Sequence, residues 1–200
     1  MPHHRRPNAR LTNRTLARVL VGAAVISATG LALGHPAAHA SSFAVTTTVD
    51  GGAGSLRDAI SQANANPGAD TITVPAGTYT ITIAGINEDS NATGDFDING
   101  DLTIIGAGAG STIIDAAGLD RAFDIGTGSA TLQSMTITNG DVGDSGGGNI
   151  LERQNADLVV ADSVVSNGAG LSGGGIAGDR GSLTVLRSEI INNTVSPIIG

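Results

Sequence analysis

The chain has 200 residues, a formal net charge of −8, ten arginines with no lysine, and neither cysteine nor tryptophan. All four histidines (His3, His4, His35 and His39) fall in the first forty residues, so the remainder has no Ser/His/Asp triad, no thiol or Schiff-base nucleophile and no His/Cys zinc site. Carboxylate and arginine chemistry, and oxygen-ligand binding of calcium, stay open.

The first forty residues read as a leader. Arg5, Arg6, Arg10, Arg14 and Arg18 form a basic stretch without an acid, and Val19 to Gly34 is an uncharged apolar run of sixteen residues. That is shorter than the ~20 residues a membrane-spanning helix needs. Ala38-His39-Ala40 supplies the small-x-small pattern that signal peptidase accepts. The pattern predicts a secretory signal over residues 1–40, recognised through Ala38 and Ala40 and cleaved before Ser41. A secreted or cell-surface protein follows, with no membrane span in its mature part. Residues 41–200 keep five arginines against all 18 acids, a formal charge of −13. This speaks against nucleic acid as a partner, because binding it requires a basic face.

The mature chain, read as one domain over 41–200, carries GSLRDAISQANANPGADTITV from Gly54 to Val74. Ser55 with Asp58 three residues on is a variant capping box. Leu56, Ala59, Ile60 and Ala63 at i, i+3, i+4 and i+7 form one apolar stripe, and Asn64, Asn66 and Pro67-Gly68 stop the helix predicted over 54–66. Strands follow at Thr71 to Val74 and from Thr78 to Ile83. Gly94 to Asp101, GDFDINGD, has two readings. Asp95, Asp97, Asn99 and Gly100 match the D-x-D-x-N-G opening of a calcium loop, although Gly106 stands at the twelfth position in place of Glu. In the other reading Phe96 and Ile98 face a core from a strand whose acids alternate outward. We take the strand, which leaves no cofactor, with Ca²⁺ as the open alternative.

Further along, the sequence repeats. Leu158, Val160, Val165 and Asn167 match Leu183, Val185, Ile190 and Asn192 at an offset of 25, and Leu132, Ile137 and Asn139 match Val160, Val165 and Asn167 at an offset of 28. Glycine runs keep the beat: Gly146-Gly147-Gly148 precedes Ile150, and Gly173-Gly174-Gly175 precedes Ile176. Apolar residues that alternate, break phase and recur at this period predict short strands coiling around a core, a parallel β-helix of about six coils. Asn139, Asn167 and Asn192 are expected to stack as an amide ladder, and Asp162 to pair with Arg187 on the surface. A terminal coil leaves a core end and a strand edge open, so the helix is expected to be the lid on the amino-terminal mouth. Ser196 to Gly200 falls inside another repeat, which predicts an incomplete carboxy-terminal coil and either a monomer or end-to-end association through it.

Taken in order, FAVTTTVDGGAGSLRDAISQAN, DTITVPAGTYTITI and TGDFDINGDLTIIGAGAGSTIIDAAG resemble the CSLREA segment of bacterial secreted proteins with right-handed parallel β-helix repeats, over roughly Phe43 to Gly140. Gly54 stands where the name-giving Cys would be, and Asp58 where its Glu would be. The resemblance implies an all-β, pectate-lyase-like right-handed β-helix and carries no assigned activity.

Two functions follow. The first is a secreted or cell-surface module with a structural, adhesive or glycan- or protein-binding role, without assigned catalytic residues. The alternative is a polysaccharide-active enzyme, a pectate-lyase-like lyase or a glycosidase. Against it stand the scarcity of aromatic platforms and the lack of an assignable acid cluster beside Arg121, Arg153 or Arg180.

Overall fold

The computed structural model describes residues 39–195. The leader through Ala38 and the Ser196 to Gly200 stretch, on which the unfinished repeat is read, lie outside them. His39, Ala40 and Ser41 begin the described body, where the Ser41 amide donates to Asp70 Oδ1 at 2.8 Å.

Over the described residues the chain winds as a parallel β-solenoid of about six turns with a single short helix. Strand β1 (Ser42–Ala44) and helix α1 (Leu56–Ala65) form the first turn; β2 (Asp70–Val74), β3 (Gly77–Thr80) and β4 (Phe96–Asn99) form the second. The third takes β5 (Leu102–Gly106), β6 (Thr112–Asp115) and the start of β7 (Phe123–Gln133). The rest of β7 opens the fourth, followed by β8 (Thr136–Thr138) and β9 (Ile150–Glu152). The fifth has β10 (Ala156–Ala161), β11 (Val164–Ser166), β12 (Ala169–Gly170) and β13 (Ile176–Gly178), and the sixth has β14 (Ser182–Leu186), β15 (Glu189–Ile191) and β16 (Thr194–Val195). One wall runs β1-β2-β5-β7-β10-β14 and a second β3-β6-β8-β11-β15. A third runs β4-β7-β9-β13, with β7 turning the corner between two walls.

Period-two alternation sends every second side chain inward, and parallel register then stacks like on like. Ile72, Ile104, Leu132, Val160 and Val185 form one column, and Tyr79, Ile114, Ile137, Val165 and Ile190 another. The repeat offsets are thus the lengths of single turns. Each turn buries the one before it. Leu158 and Val165 are 0% exposed, whereas their neighbours in the sixth turn, Leu183 and Ile190, are 46% and 44% exposed.

The helix does what the sequence predicts. Ser55 Oγ accepts the Asp58 amide at 3.1 Å and Asp58 Oδ2 accepts that of Gly54 at 2.9 Å, closing the capping box one residue early. Leu56, Ala59, Ile60 and Ala63 join the solenoid core. The outer edge of β4 is closed by side chains acting as a neighbouring strand would. Asn64 Nδ2 donates to Asp97 O at 2.7 Å while its Oδ1 accepts the Asn99 amide at 2.9 Å. Gly54 lies at φ +79, and a Cβ there would fall 2.2 Å from Thr46 Oγ1. A Cys there, as in the segment it resembles, would take a strained left-handed conformation and require the Thr46 hydroxyl to turn away.

The expected ladder of Asn139, Asn167 and Asn192 is replaced by something else. All three hold the left-handed conformation, at φ 62, 54 and 55, which asparagine tolerates better than most side chains. They are corner residues. Asn139 Nδ2 bonds Asp115 and Asn167 Nδ2 bonds Thr138 of the preceding turn. An amide stack does run inside the solenoid, through Asn149 Nδ2 and Asn193 Oδ1 at 3.2 Å. Ser134, Asp162 and Arg187 occupy the other corner in the same conformation, and the Arg187–Asp162 pair forms as expected, at 2.6 Å.

Candidate functional site

Two strands of the third wall carry one tripeptide, Phe96-Asp97-Ile98 in β4 and Phe123-Asp124-Ile125 in β7, paired residue for residue. Alternation turns the phenylalanines and isoleucines inward, with ring centroids 5.6 Å apart, and sets both aspartates on the outer face one above the other. Two such carboxylates repel unless a cation intervenes. Arg153, just past β9, reaches back with Nε 2.6 Å from Asp124 Oδ1 and Nη2 2.7 Å from Asp124 Oδ2, and its Nη2 also holds Asp89. Arg121 Nη1 takes Asp124 Oδ2 from the other side at 2.8 Å. Asp89, Asp97 and Asp124 bring carboxylate oxygens within 4.8 Å of one another, and the Arg153 guanidinium balances two of them.

The segment between β3 and β4 lies over this column. The Asn91 amide donates to Asp97 Oδ2 at 2.7 Å, and its side chain bonds Arg57 O and Ser61 Oγ of the helix. Burial pushes the Glu88 carboxyl up, but the Thr93, Ser90 and Ala92 amides bonded to it outweigh that and hold it below the usual carboxylate range. Burial drives Asp95 up to about 8, with Asp120 and Asp97 adding to the rise and Arg121 opposing it. Asp97 is lifted by burial to about 7 against the bond from Asn91, and burial raises Asp120 against its bond from the Arg121 amide. Burial thus favours the neutral form of the Asp95 carboxyl.

Beside the column a cleft of about 430 Å³ opens between the β3–β4 segment, the Asp120–Arg121 bend and the loop around Asp141 to Ser145. Ile86, Val142 and Leu151 give it an apolar side, and Asp95, Arg121 and Arg153 a polar one. Asp95 is 3% exposed, and among the described residues its carboxyl meets one partner, Arg121 Nη1, at the limiting distance of 3.5 Å. Arg121 Nε is buried with no acceptor.

Asp97 and Asn99 lie on the outer face of β4 with Asp95 just before it, but the expected exposure of the acids to solvent is not met, since Asp95 and Asp97 are each 3% exposed beneath the β3–β4 segment. The Asp95 carboxyl meets Arg121, the Asp97 carboxyl accepts the Asn91 amide, and the Asn99 side chain donates to Asp89 O at 3.2 Å. Arg121 and Arg153, for which the sequence suggests no acidic neighbours, turn out to be the cations of the cluster. The signal that finds them is the repeated Phe-Asp-Ile, which puts two aspartates at one phase of adjacent turns and so demands a cation nearby. Arg180 stays apart, exposed beside Asp179 at 3.6 Å. Compared with family models, curated proteins and solved structures, the chain matches none of them.

Proposed function

We propose that the chain is a secreted or cell-surface β-solenoid module of the CSLREA type that its N-terminal segment resembles, binding an extracellular glycan or protein partner in the cleft beside the Asp97–Asp124 column. The observation that carries this is the cleft itself. A concave site joins an apolar wall to buried polar groups whose hydrogen bonding is incomplete, the usual makeup of ligand sites, in a chain that opens with an export signal. Expressed with its leader in a bacterial host, the product is expected in the medium with Ser41 at its N terminus and retained on insoluble cell-wall material, retention being lost when Ser145→Trp fills the cleft. An unprocessed intracellular product removes the export part of the reading. Retention untouched by Ser145→Trp removes the cleft.

A second reading, polysaccharide cleavage, is favoured by one observation. Asp95 lies buried on the polar side of the cleft and burial pushes its carboxyl up to about 8, the direction a general acid needs. Incubation with pectin, alginate and neutral glycans, followed by ultraviolet absorbance of unsaturated product and by reducing ends, decides it. Turnover abolished by Asp95→Asn replaces binding with catalysis.

A further inference from the structure

We propose that the cleft takes a neutral, hydroxyl-rich ligand, a pyranose unit of an uncharged glycan, held between the Asp95 carboxyl and the Arg121 guanidinium. This rests on the reading of the cleft as a ligand site and names what fills it. Arg121 spends Nη1 on Asp124 and Asp95, and among the described residues its Nη2 meets no acceptor, leaving a donor with no lone pair of its own. In the neutral form that burial favours, Asp95 offers both an O–H donor and a carbonyl acceptor. Both residues line the cleft, and adjacent hydroxyls of a sugar can engage both, one accepting from Arg121 and the other bonding Asp95. Ile86, Val142 and Leu151 provide the apolar surface against which the C–H face of a ring lies.

Charge selects against the alternatives. The remaining lining acids Glu88, Asp120, Asp141 and Asp144 repel an anionic sugar. An ammonium group, though drawn by those same acids, would face the guanidinium groups of Arg121 and Arg153 on the polar side of the cleft. A neutral polyol meets neither penalty. The cleft volume of about 430 Å³ falls in the ~300–1,000 Å³ range of small-molecule sites.

The test follows backbone amide resonances of the secreted chain during titration with cellotriose, xylotriose and maltotriose as neutral probes, trigalacturonate as the anionic one and fully deacetylated chitotriose as the cationic one. Saturable shifts confined to Asp95, Arg121 and Val142 with a neutral trisaccharide are expected at millimolar concentration, with none from the charged probes. Asp95→Asn, which keeps a donor and an acceptor, should retain binding, whereas Asp95→Ala weakens it by about tenfold or more. Ser145→Trp, on the exposed rim, should abolish the shifts with the melting temperature unchanged. Tighter binding of either charged probe at the same amides overturns the inference and leaves the cleft as a ligand site. Silence from all five probes overturns the inference and withdraws its support from the cleft as well.

Discussion

Asp95 and Glu152 are carboxyls in places a folded chain normally gives to hydrocarbon. Glu152 stands in the inward column below Ile98 and Ile125, 2% exposed, with Oε1 unpartnered, and burial raises its pKa. Asp95 and Asp97 rise from 3.8 to about 8 and about 7. A folded-state value above the unfolded one means that the folded chain keeps a proton the unfolded chain has lost, so the associated stability is complete below pH 3.8 and disappears as pH rises through the folded values. Glu88, whose pKa is lowered, works in the opposite sense, losing its contribution in acid. With four raised carboxyls, Asp95, Asp97, Asp120 and Glu152, against it, the melting temperature is expected to fall between about pH 4 and pH 8 and then level off. Asp95→Asn and Glu152→Gln should each flatten that fall. A melting temperature that climbs across the same range contradicts the burial of these groups. None of this is legible in the sequence, because alternation assigns Asp95 and Asp97 to the outside of a strand and cannot reveal that the β3–β4 segment covers them.

At the scale of the element, the lid is more than an apolar plug. Arg57 follows Leu56 and falls off the apolar stripe, so periodicity sends it to solvent, yet it is 5% exposed. Its Nη2 lies 2.9 Å from Asp50 Oδ1 and 2.7 Å from Gly94 O, its Nη1 2.9 Å from Asp95 O, and its Cζ 4.7 Å from the Phe96 ring centroid. Asp50 Oδ2 in turn accepts the Thr82 and Ile83 amides. One guanidinium therefore ties the helix, the first turn and the covering segment together. Arg57→Ala leaves Asp50 charged and buried without its partner, at a cost of about 3–5 kcal/mol. The measurement is the urea midpoint, together with faster amide exchange in β4. A loss within the error of a surface substitution would mean that the helix is held by its apolar stripe alone.

For the whole molecule, stability is shared unevenly between turns, since each contacts only its neighbours. Leu132, 0% exposed in the fourth turn, lies between covered neighbours, and Leu132→Ala is expected to cost about 2–5 kcal/mol as a cavity that stacked strands cannot close. Leu183→Ala, at 46% exposure in the sixth turn, removes surface already in water and should cost about 1 kcal/mol or less. Urea denaturation of both variants checks the pair. Equal losses would mean that the sixth-turn column is covered in solution. Among the described residues no helix is long and apolar enough to cross a membrane.

The coil length, the phase of the inward columns and the capped helix were determined by the sequence alone, because burial repeated at each turn writes the same periodicity into many residues. The tertiary structure decided the rest. It put Asn139, Asn167 and Asn192 at left-handed corners, where backbone geometry outranks side-chain stacking, and it brought Asp89, Asp97, Asp124, Arg121 and Arg153 together from four stretches of the chain. Such a meeting depends on how a segment with no periodicity of its own folds across adjacent turns, and local residue patterns carry no record of that contact.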